Sequence, residues 1–379
     1  MKAIPQRFQT RIKKAKEQGL RSLNLSNNYY TKAIDKLKEI PAEVLELEQL
    51  ESLDLRNNQL TSLPESISQL SNLTQLDLSQ NQLTNLPESV SKLSNLFDLY
   101  LNQNQLTNLP ESIGQLSNLF DLYLNENRLT HLPESISQLS NLIRLDLSDN
   151  QLTNLSESLG NLSDLIDLYL QGNQLTSLPE SLGNFSHLAQ LNLGRNQLKN
   201  LPESISKLSN LKELYLNRNQ LTNLPQSISK LFKLKVLYLN DNQLTNLPES
   251  LANFSHLTWL DLSDNRLTRM RSFISKLENL RKLYLRDNQL KNLPESISKL
   301  ENLTVLDLSG NQLTNLPKSI SELFNLSYLF LMGNQLTNLP PSIAQLPNLT
   351  QVYLRANPLE TPPLEVTEGG IEAIREYFQ

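Results

Sequence analysis

Apolar residues recur along the chain in the pattern L-x-x-L-x-L-x-x-N-x-L, as in the run from Leu96 to Leu106. Side chains alternate between the two faces of a strand, so the two leucines of L-x-L point to one side and their neighbours to the other. The pattern therefore predicts one short strand per unit. The Asn falls in the following turn, where its amide can bond to buried backbone groups.

The turn asparagines define a period without insertions. They run from Asn58 to Asn357, a separation of 299 residues or thirteen steps of 23. A looser unit ending at Asn28, 30 residues before Asn58, adds a fifteenth rung. A single strand cannot bury its own leucines, so neighbouring units must stack. This repetition overrides the two or three domains that the length of 379 residues alone suggests.

The pattern resembles the signature of the leucine-rich repeat family. The resemblance implies an α/β fold, a right-handed solenoid curved like a horseshoe, with about fifteen rungs and a parallel concave sheet. The returning segment, typified by "LPESISKLSNL", begins with a Pro that suits the first position of a helical turn. It is long enough for one or two turns of α- or 3-10 helix on the convex side.

The two ends depart from the repeat, and each has an amphipathic pattern. Residues 1–19 predict an N-terminal capping helix. Its apolar face holds Phe8, Ile12 and Ala15, and Gly19 stands where the helix should end. Residues 20–360 carry the repeats. Residues 361–379 predict a C-terminal capping helix, whose apolar face holds Ile371, Ile374 and Phe378.

Composition narrows the compartment and the partners. The chain has no cysteine, whereas secreted repeat proteins commonly have disulfide-bonded caps, and its N-terminus resembles neither a signal peptide nor a membrane span. These features predict a cytoplasmic protein without a membrane partner. The net charge of −5 argues against a nucleic-acid partner. For the lysines of the first helix, a solvated outer face is favoured over a nucleic-acid patch.

The residues that commonly carry catalysis are scarce. Two of the three histidines, His187 and His256, share one repeat position 69 residues apart, too far apart to share a metal, and His131 lies elsewhere in its repeat. The sequence has no thiol and no glycine-rich phosphate-binding motif. Stacked acids, such as Asp98 with Asp121, are interpreted as a solvated polar ladder. We therefore expect no enzymatic activity, no metal and no cofactor.

The outward face of the strands is the remaining candidate for function. Seven of the eleven tyrosines fall between the two strand leucines, where they point away from the core. In the C-terminal half the neighbouring columns become aromatic and mildly basic, and Trp, Tyr and Arg often dominate interface energetics. The predicted partner-binding residues are Tyr215, Tyr238, Trp259, Lys282, Tyr284, Arg286, Tyr328, Phe330, Tyr353 and Arg355.

The only tryptophan permits two interpretations. Trp259 and the tyrosines form a docking surface, or they merely shield the sheet; we favour the first. In the same rung, Met270 and Arg271 replace residues of the usual "NLPES" and are interpreted as neutral drift. The N-terminal half of this face is acidic, so the partner should be polarised in the opposite sense. A protein or peptide is expected, and a glycan is the weaker alternative.

The flanking segments carry a narrower resemblance. "IKKAKEQGLRSLNLS" and "ANPLETPPLEVTEGGIEAIREYF" are similar to the segments that border the repeats of bacterial Roco proteins. That resemblance implies a regulatory arm beside a Ras-like GTPase domain, although the chain contains no nucleotide-binding motif. Two hypotheses follow: an autonomous interaction scaffold, or the regulatory arm of a multidomain signalling GTPase.

Overall fold

The computed structural model describes residues 4–379 and has one three-residue strand per rung. Within this range there are fifteen parallel strands, which confirms the predicted α/β repeat fold and its fifteen rungs. They are β1 Ser22–Asn24, β2 Ser52–Asp54, β3 Gln75–Asp77, β4 Asp98–Tyr100, β5 Asp121–Tyr123, β6 Arg144–Asp146, β7 Asp167–Tyr169, β8 Gln190–Asn192, β9 Glu213–Tyr215, β10 Val236–Tyr238, β11 Trp259–Asp261, β12 Lys282–Tyr284, β13 Val305–Asp307, β14 Tyr328–Phe330 and β15 Gln351–Tyr353.

The chain divides into two compact units, Met1–Leu191 and Asn192–Gln379. In the first unit, β1 to β7 pair in parallel, each with its neighbour in sequence. In the second unit, β9 to β15 pair in the same way. Each strand leucine lies opposite the equivalent residue of the next strand, as Leu237 does with Leu260. The 23-residue period thus becomes an exact side-chain register.

The returning segments are 3-10 helices of five residues, preceded by a shorter one in the first rung. They span Ala33–Asp35, Glu65–Gln69, Glu88–Lys92, Glu111–Gln115, Glu134–Gln138, Glu157–Asn161, Glu180–Asn184, Glu203–Lys207, Gln226–Lys230, Glu249–Asn253, Ser272–Lys276, Glu295–Lys299, Lys318–Glu322 and Pro341–Gln345. The proline of "LPES" lies one residue earlier than expected, since Pro64 is extended at the N-cap, with ψ of 152°. Ser156 replaces this Pro, and its side chain accepts a bond from the Ser158 amide.

Within residues 4–379, four α-helices lie outside the regular repeats: α1 Gln6–Gln18, α2 Ala42–Leu45, α3 Leu364–Glu368 and α4 Gly370–Tyr377. In α1 the buried face is Phe8, Ile12 and Ala15, and Gly19 ends the helix in the left-handed conformation. In α4 the buried residues are Ile371 and Ile374. The first three residues of the predicted 1–19 cap lie outside the described range. The division into caps and repeats remains a prediction.

The core of each rung consists of strand and turn leucines, together with an aliphatic residue from the 3-10 helix. Leu237, Leu239 and Leu244 are fully buried, as is Ile228 of the preceding 3-10 helix. Each such leucine stabilises the fold by roughly 1.5 to 3 kcal/mol relative to an exposed one, before conformational entropy is counted. Met270 occupies the Leu position of "NLPES" and is buried there, so the side chain packs as an ordinary core residue.

The buried turn asparagines connect successive rungs, as Asn265 illustrates. Its Nδ2 donates to the carbonyl of Leu239 in the preceding rung at 2.9 Å and to that of Leu262 in its own rung at 3.1 Å. Its Oδ1 accepts the amide of Leu244 at 2.9 Å. One amide therefore satisfies backbone groups that would otherwise be buried without partners.

The residue before each of these asparagines adopts the left-handed conformation. In eleven rungs it is not glycine, and its φ lies between 49° and 58°; the other three rungs have Gly172, Gly310 and Gly333. The conformation directs the amide toward the next rung, as when Gln80 donates to the carbonyl of Asn102 at 2.9 Å. This hydrogen bond offsets part of the steric cost of a left-handed side-chain residue.

No helix within residues 4–379 is long and apolar enough to cross a bilayer.

Candidate partner-binding surface

The predicted site residues lie on the second unit, where each strand buries its central residue and turns its two flanking residues outward. In β10 Leu237 is fully buried, whereas Val236 and Tyr238 are half-buried on the other face. The register then places the outward side chains of successive strands side by side.

Four aromatic rings from consecutive strands form a continuous row, which we call the aromatic stack: Tyr215, Tyr238, Trp259 and Tyr284. The centroids of Tyr215 and Tyr238 are 5.1 Å apart, with the rings 16° from parallel. Trp259 continues the row, 5.6 Å from Tyr238 and 5.3 Å from Tyr284. Aromatic pairs in this range contribute about 0.5 to 1.5 kcal/mol beyond their buried area. The sheet thus holds these rings in fixed positions.

The position of Trp259 explains why the tryptophan occurs in this rung. The last residue of β11, between Leu260 and Leu262, is the outward-facing Asp261, which lies opposite Tyr238 on one side and Tyr284 on the other. Aspartate is too short to continue a row of rings. Trp259, two residues earlier on the same strand, places its indole between the two tyrosine rings instead. The ring lies outside the leucine core, and Asp261 lies in a desolvated setting in which burial raises its pKa.

Lys282 adds a cation to the aromatic stack. Its Nζ lies 4.4 Å from the centroid of the Trp259 ring, a cation–π contact. Such contacts contribute about 0.5 to 1 kcal/mol when exposed and about 2 when desolvated. The structure therefore brings Lys282 onto Trp259, one of the four predicted rings of the aromatic stack.

A second aromatic group follows after an interruption. Val305 and Asp307 occupy the outward positions of β13, and the row of rings stops there. Beyond it, Phe330 and Tyr353 stack with centroids 4.7 Å apart and planes within 3° of parallel. Tyr328 is 43 % exposed. Arg355 is also exposed. The ten predicted residues thus form two groups.

The basic character predicted for this face is partly offset. The Nε of Arg286 donates to Asp287 at 2.9 Å, and this bond raises the pKa of the guanidinium. Asp287 belongs to a row with Asp241 and Asp264 in successive left-handed turns. Burial raises the pKa of Asp264, and its two acidic neighbours raise it further. This acidic row, which the sequence analysis did not include in the site, borders the aromatic stack.

The first unit carries a polar outward cluster centred on Arg144. Its Nη1 donates to Asp121 and to the Tyr123 hydroxyl, both at 3.0 Å, and its Nε donates to Asp167 at 3.3 Å. Burial raises the pKa of Asp98, and the nearby Asp121 carboxylate adds to that shift. The acidic half predicted from the sequence thus contains a neutralising arginine.

The first unit also exposes an apolar pair that was not predicted from the sequence. Phe97 and Phe120 stack at 5.4 Å in the column just before the strands, and each is about two-fifths exposed. Their 23-residue separation within the apolar run of one column was visible in the sequence.

Two histidines replace asparagine in a surface ladder of hydrogen bonds between rungs. The Nδ1 of His256 lies 2.9 Å from the carbonyl of Phe232, and that of His187 lies 3.1 Å from the carbonyl of Ser163. At the same repeat position Asn302 donates to the carbonyl of Glu278. These imidazoles therefore have a structural role. Over residues 4–379 no group of three or more His, Cys, Asp or Glu is placed to hold a metal ion.

Comparison with known proteins identifies the repeat. The family model described as a leucine-rich repeat region matches residues 177–284 and 246–362, and two further leucine-rich repeat models match residues 48–92 and 121–175. A solved leucine-rich repeat protein of Leptospira interrogans is 36 % identical, with 96 % of each chain covered and a TM-score of 0.86. The chain belongs to the leucine-rich repeat family.

Other solved leucine-rich repeat structures are more distant. The plant peptide hormone receptor RGFR1, solved in complex with RGF2, is 32 % identical, with a TM-score of 0.75; 89 % of this chain and 55 % of the receptor are covered. The internalin InlF of Listeria monocytogenes is 27 % identical, with a TM-score of 0.70; 81 % of this chain and 88 % of the internalin are covered. No curated protein matches the chain.

Proposed function

We propose that this leucine-rich repeat protein is a non-catalytic scaffold that binds a protein or peptide through the outward face of β9 to β15. The observation that carries the proposal is the aromatic stack, four half-buried rings held on consecutive strands outside the core. Trp and Tyr are among the residues that most often dominate interface energetics.

Preorganisation supports the proposal. Each ring is fixed by its neighbours and by a three-residue strand in exact register, so binding orders few side chains. The interruption at Asp307 separates the aromatic stack from Phe330 and Tyr353. Because strands lie about 4.8 Å apart, an extended peptide lying across them reaches both groups.

The relatives supply a precedent for the partner class. The receptor RGFR1 was solved in complex with RGF2, and PEPR1, 31 % identical over 89 % of this chain, was solved with AtPEP1. The Lys282 cation and the acidic row of Asp241, Asp264 and Asp287 favour a partner with both signs of charge. A glycan that stacks on the tyrosines is the weaker alternative.

Two further parts of the proposal rest on the sequence. The absence of cysteine supports a cytoplasmic location, and the flanking segments support a bacterial regulatory arm of the Roco type. In that alternative the ligand of the outward face is a neighbouring domain of the same signalling protein. The reading frame around the gene distinguishes the two hypotheses.

The experiment selects ligands from a displayed peptide library on the intact chain and then measures their affinity for variants. Trp259→Ala with Tyr284→Ala should weaken binding by about 2 kcal/mol or more, roughly thirtyfold, because both anchors are lost. The matched control is Tyr100→Ala with Tyr123→Ala, which removes a stacked tyrosine pair of the first unit with a 5.0 Å separation.

Thermal unfolding of both double variants shows whether each one remains folded. Equal affinity of the wild type and the Trp259/Tyr284 variant, with folding intact, would remove the site from this face. An equal loss in the Tyr100/Tyr123 control would move the site to the first unit.

A further inference from the structure

The N-terminal end has a charge opposite to that of the whole chain. The first 40 residues contain ten of the 34 basic residues and three of the 39 acidic ones, a formal charge of +7 in a chain of −5. Such an asymmetry creates a local positive potential that the net charge conceals.

Part of this charge lines a surface cavity of about 680 Å³ between α1 and the first rung. Its cations are Arg7, Arg11 and Lys14, and its other polar groups include Ser26, Asn27 and Thr31. No carboxylate lines this cavity within the described chain. We call it the cationic pocket. Guanidinium and ammonium groups beside hydroxyls and amides form the donor set that binds phosphate oxygens.

The arginines are held in place through neutral groups. Arg7 donates to the Asn27 side chain and, at 2.7 Å, to the carbonyl of Asp35, and Arg11 donates to the carbonyl of Asn24 at 2.9 Å. Among residues 4–379 neither arginine forms an ion pair with a carboxylate. Their positive charge is therefore available to an external anion.

The two lysines beside them on α1 differ in this respect. Lys13 pairs with Glu17 at 3.7 Å, and Lys16 pairs with Glu46 at 2.7 Å. These two lysines are thus partly neutralised by the protein itself. They carry the same formal charge as Arg11 and Lys14 but lie outside the cationic pocket.

Three exposed apolar side chains stand next to the pocket, two on the loop after β1 and one in the short 3-10 helix Ala33–Asp35 that follows it. Tyr29, Tyr30 and Ile34 are 90 %, 89 % and 86 % exposed, against 58 % for the next most exposed large apolar side chain, Phe324. The loop is ordered by Asn28, whose Oδ1 accepts the Tyr30 amide at 3.1 Å and the Thr31 hydroxyl at 2.9 Å. We call these three residues the loop tip. All three side chains face solvent and do not pack against the core.

We propose that this end of the protein binds the surface of an anionic phospholipid membrane. In the bound state a lipid phosphate occupies the cationic pocket, and the loop tip enters the interface between headgroups and acyl chains. Tyrosine rings favour that interface, and basic residues are attracted to anionic lipid surfaces. Peripheral membrane binding needs this combination of apolar insertion and charge.

Ile34 favours the membrane over a nucleic acid. Its aliphatic side chain gains free energy in the acyl region but offers no ring on which a base can stack. The sequence predicted no membrane partner, because the N-terminus resembles neither a signal peptide nor a membrane span. The proposed contact is peripheral, and it involves residues of the first unit only.

The test is sedimentation of the intact chain with vesicles of phosphatidylcholine alone and of phosphatidylcholine mixed with phosphatidylserine. We expect binding to the mixed vesicles only, and weaker binding as salt rises. Arg11→Gln with Lys14→Gln should weaken partitioning roughly 25-fold, about fivefold per cation. Lys13→Gln with Lys16→Gln is the charge-matched control and should lower it much less.

Tyr29→Ser with Tyr30→Ser tests the loop tip. These exposed substitutions should leave unfolding unchanged and weaken partitioning at least tenfold. Phe232→Ser with Phe324→Ser, at exposed aromatic positions of the second unit, is the matched control and should have no effect.

Several outcomes would overturn the proposal. They are failure of the wild type to sediment with either vesicle, equal sedimentation with both, and equal losses in the charge-matched pairs. Retention of the chain by duplex DNA, without vesicle binding, would assign the pocket to another polyanion. Saturable binding of inorganic phosphate without vesicle binding would assign it to a free phosphate.

Discussion

At the residue scale, the last residue of a strand, which faces outward between the two strand leucines, is coupled to the residue two places later. Where it is Asp, the amide of that later residue donates to the carboxylate at about 3.0 Å; the donor is a Ser after Asp261 and Asp307, and Arg56 after Asp54. Where it is Tyr, the side chain has no carboxylate to accept this bond, and the ring can stack on the adjacent strand, as Tyr238 does. An aspartate therefore interrupts the row of rings, as Asp307 does, unless another ring of the same strand fills the gap, as Trp259 does beside Asp261.

Replacing Asp261 with Asn should stabilise the protein at neutral pH. Burial raises the folded-state pKa of Asp261 above its ordinary value, so ionisation opposes folding. The wild type should thus lose stability as the pH rises from the unfolded pKa through the folded pKa, whereas the variant should not. Asn24 and Asn192 accept the same bond in their rungs. Denaturant unfolding at several pH values measures the difference.

The same pair of proteins in a Trp259→Ala background serves as the control. Removing the indole should expose Asp261 to water and reduce the difference in stability between the two proteins at neutral pH. A variant no more stable than the wild type at pH 7, or one whose advantage grows as the pH falls, would contradict this explanation.

At the element scale, the left-handed residue before each turn asparagine has the most restrictive backbone conformation in the rung. Gly333 has φ of 65°, and the nearest atoms around an added Cβ lie at 3.6 Å, which is ordinary contact. A substitution there tests conformation without a steric clash. Gly333→Val should cost about 1 to 2 kcal/mol, since a β-branched residue resists positive φ.

Gly333→Asn should cost much less, because Asn tolerates this conformation. Denaturant unfolding of the two variants under one condition compares them. Equal losses for Val and Asn would show that packing, and not backbone conformation, determines the choice at this position.

The period and the L-x-L spacing predicted the strands, their number and their register, because alternation and burial fix them. Two details of the returning segments could not be predicted from the sequence. The helix is 3-10, and Pro64 precedes it instead of beginning it. In the site, the sequence predicted which residues face outward. It assigned Trp259 and the tyrosines to separate columns, because a pattern cannot show that an indole crosses into the gap above Asp261.

Charge pairing was also beyond the pattern. Arg286 adds to the basic count, yet its contact with Asp287 depends on the left-handed turn that brings the two side chains together. The sequence showed His256 to be too far from His187 to share a metal, but it did not show that the His256 ring takes the place of an asparagine amide between rungs.

At the scale of the whole molecule, the first strand needs a cover, because an open strand edge invites pairing with other chains. Helix α1 packs against β1, and Phe8 of α1 is fully buried. Phe8→Asp buries an unpaired charge and should detach the helix. We expect the variant to self-associate. Light scattering and sedimentation measure its association state.

Gln9→Asp places the same charge on the exposed side of α1 and should leave the chain unchanged. A Phe8→Asp variant that does not self-associate would show that the first strand needs no cover.

The aromatic stack contains the only tryptophan of the chain, between Tyr238 and Tyr284. Excitation at the red edge of protein absorbance therefore selects a single native fluorophore, located within the surface proposed to bind a partner. Its emission wavelength and its quenching by solutes will change when that surface is covered or hydrated. The protein thus carries its own optical probe, and a titration needs no label.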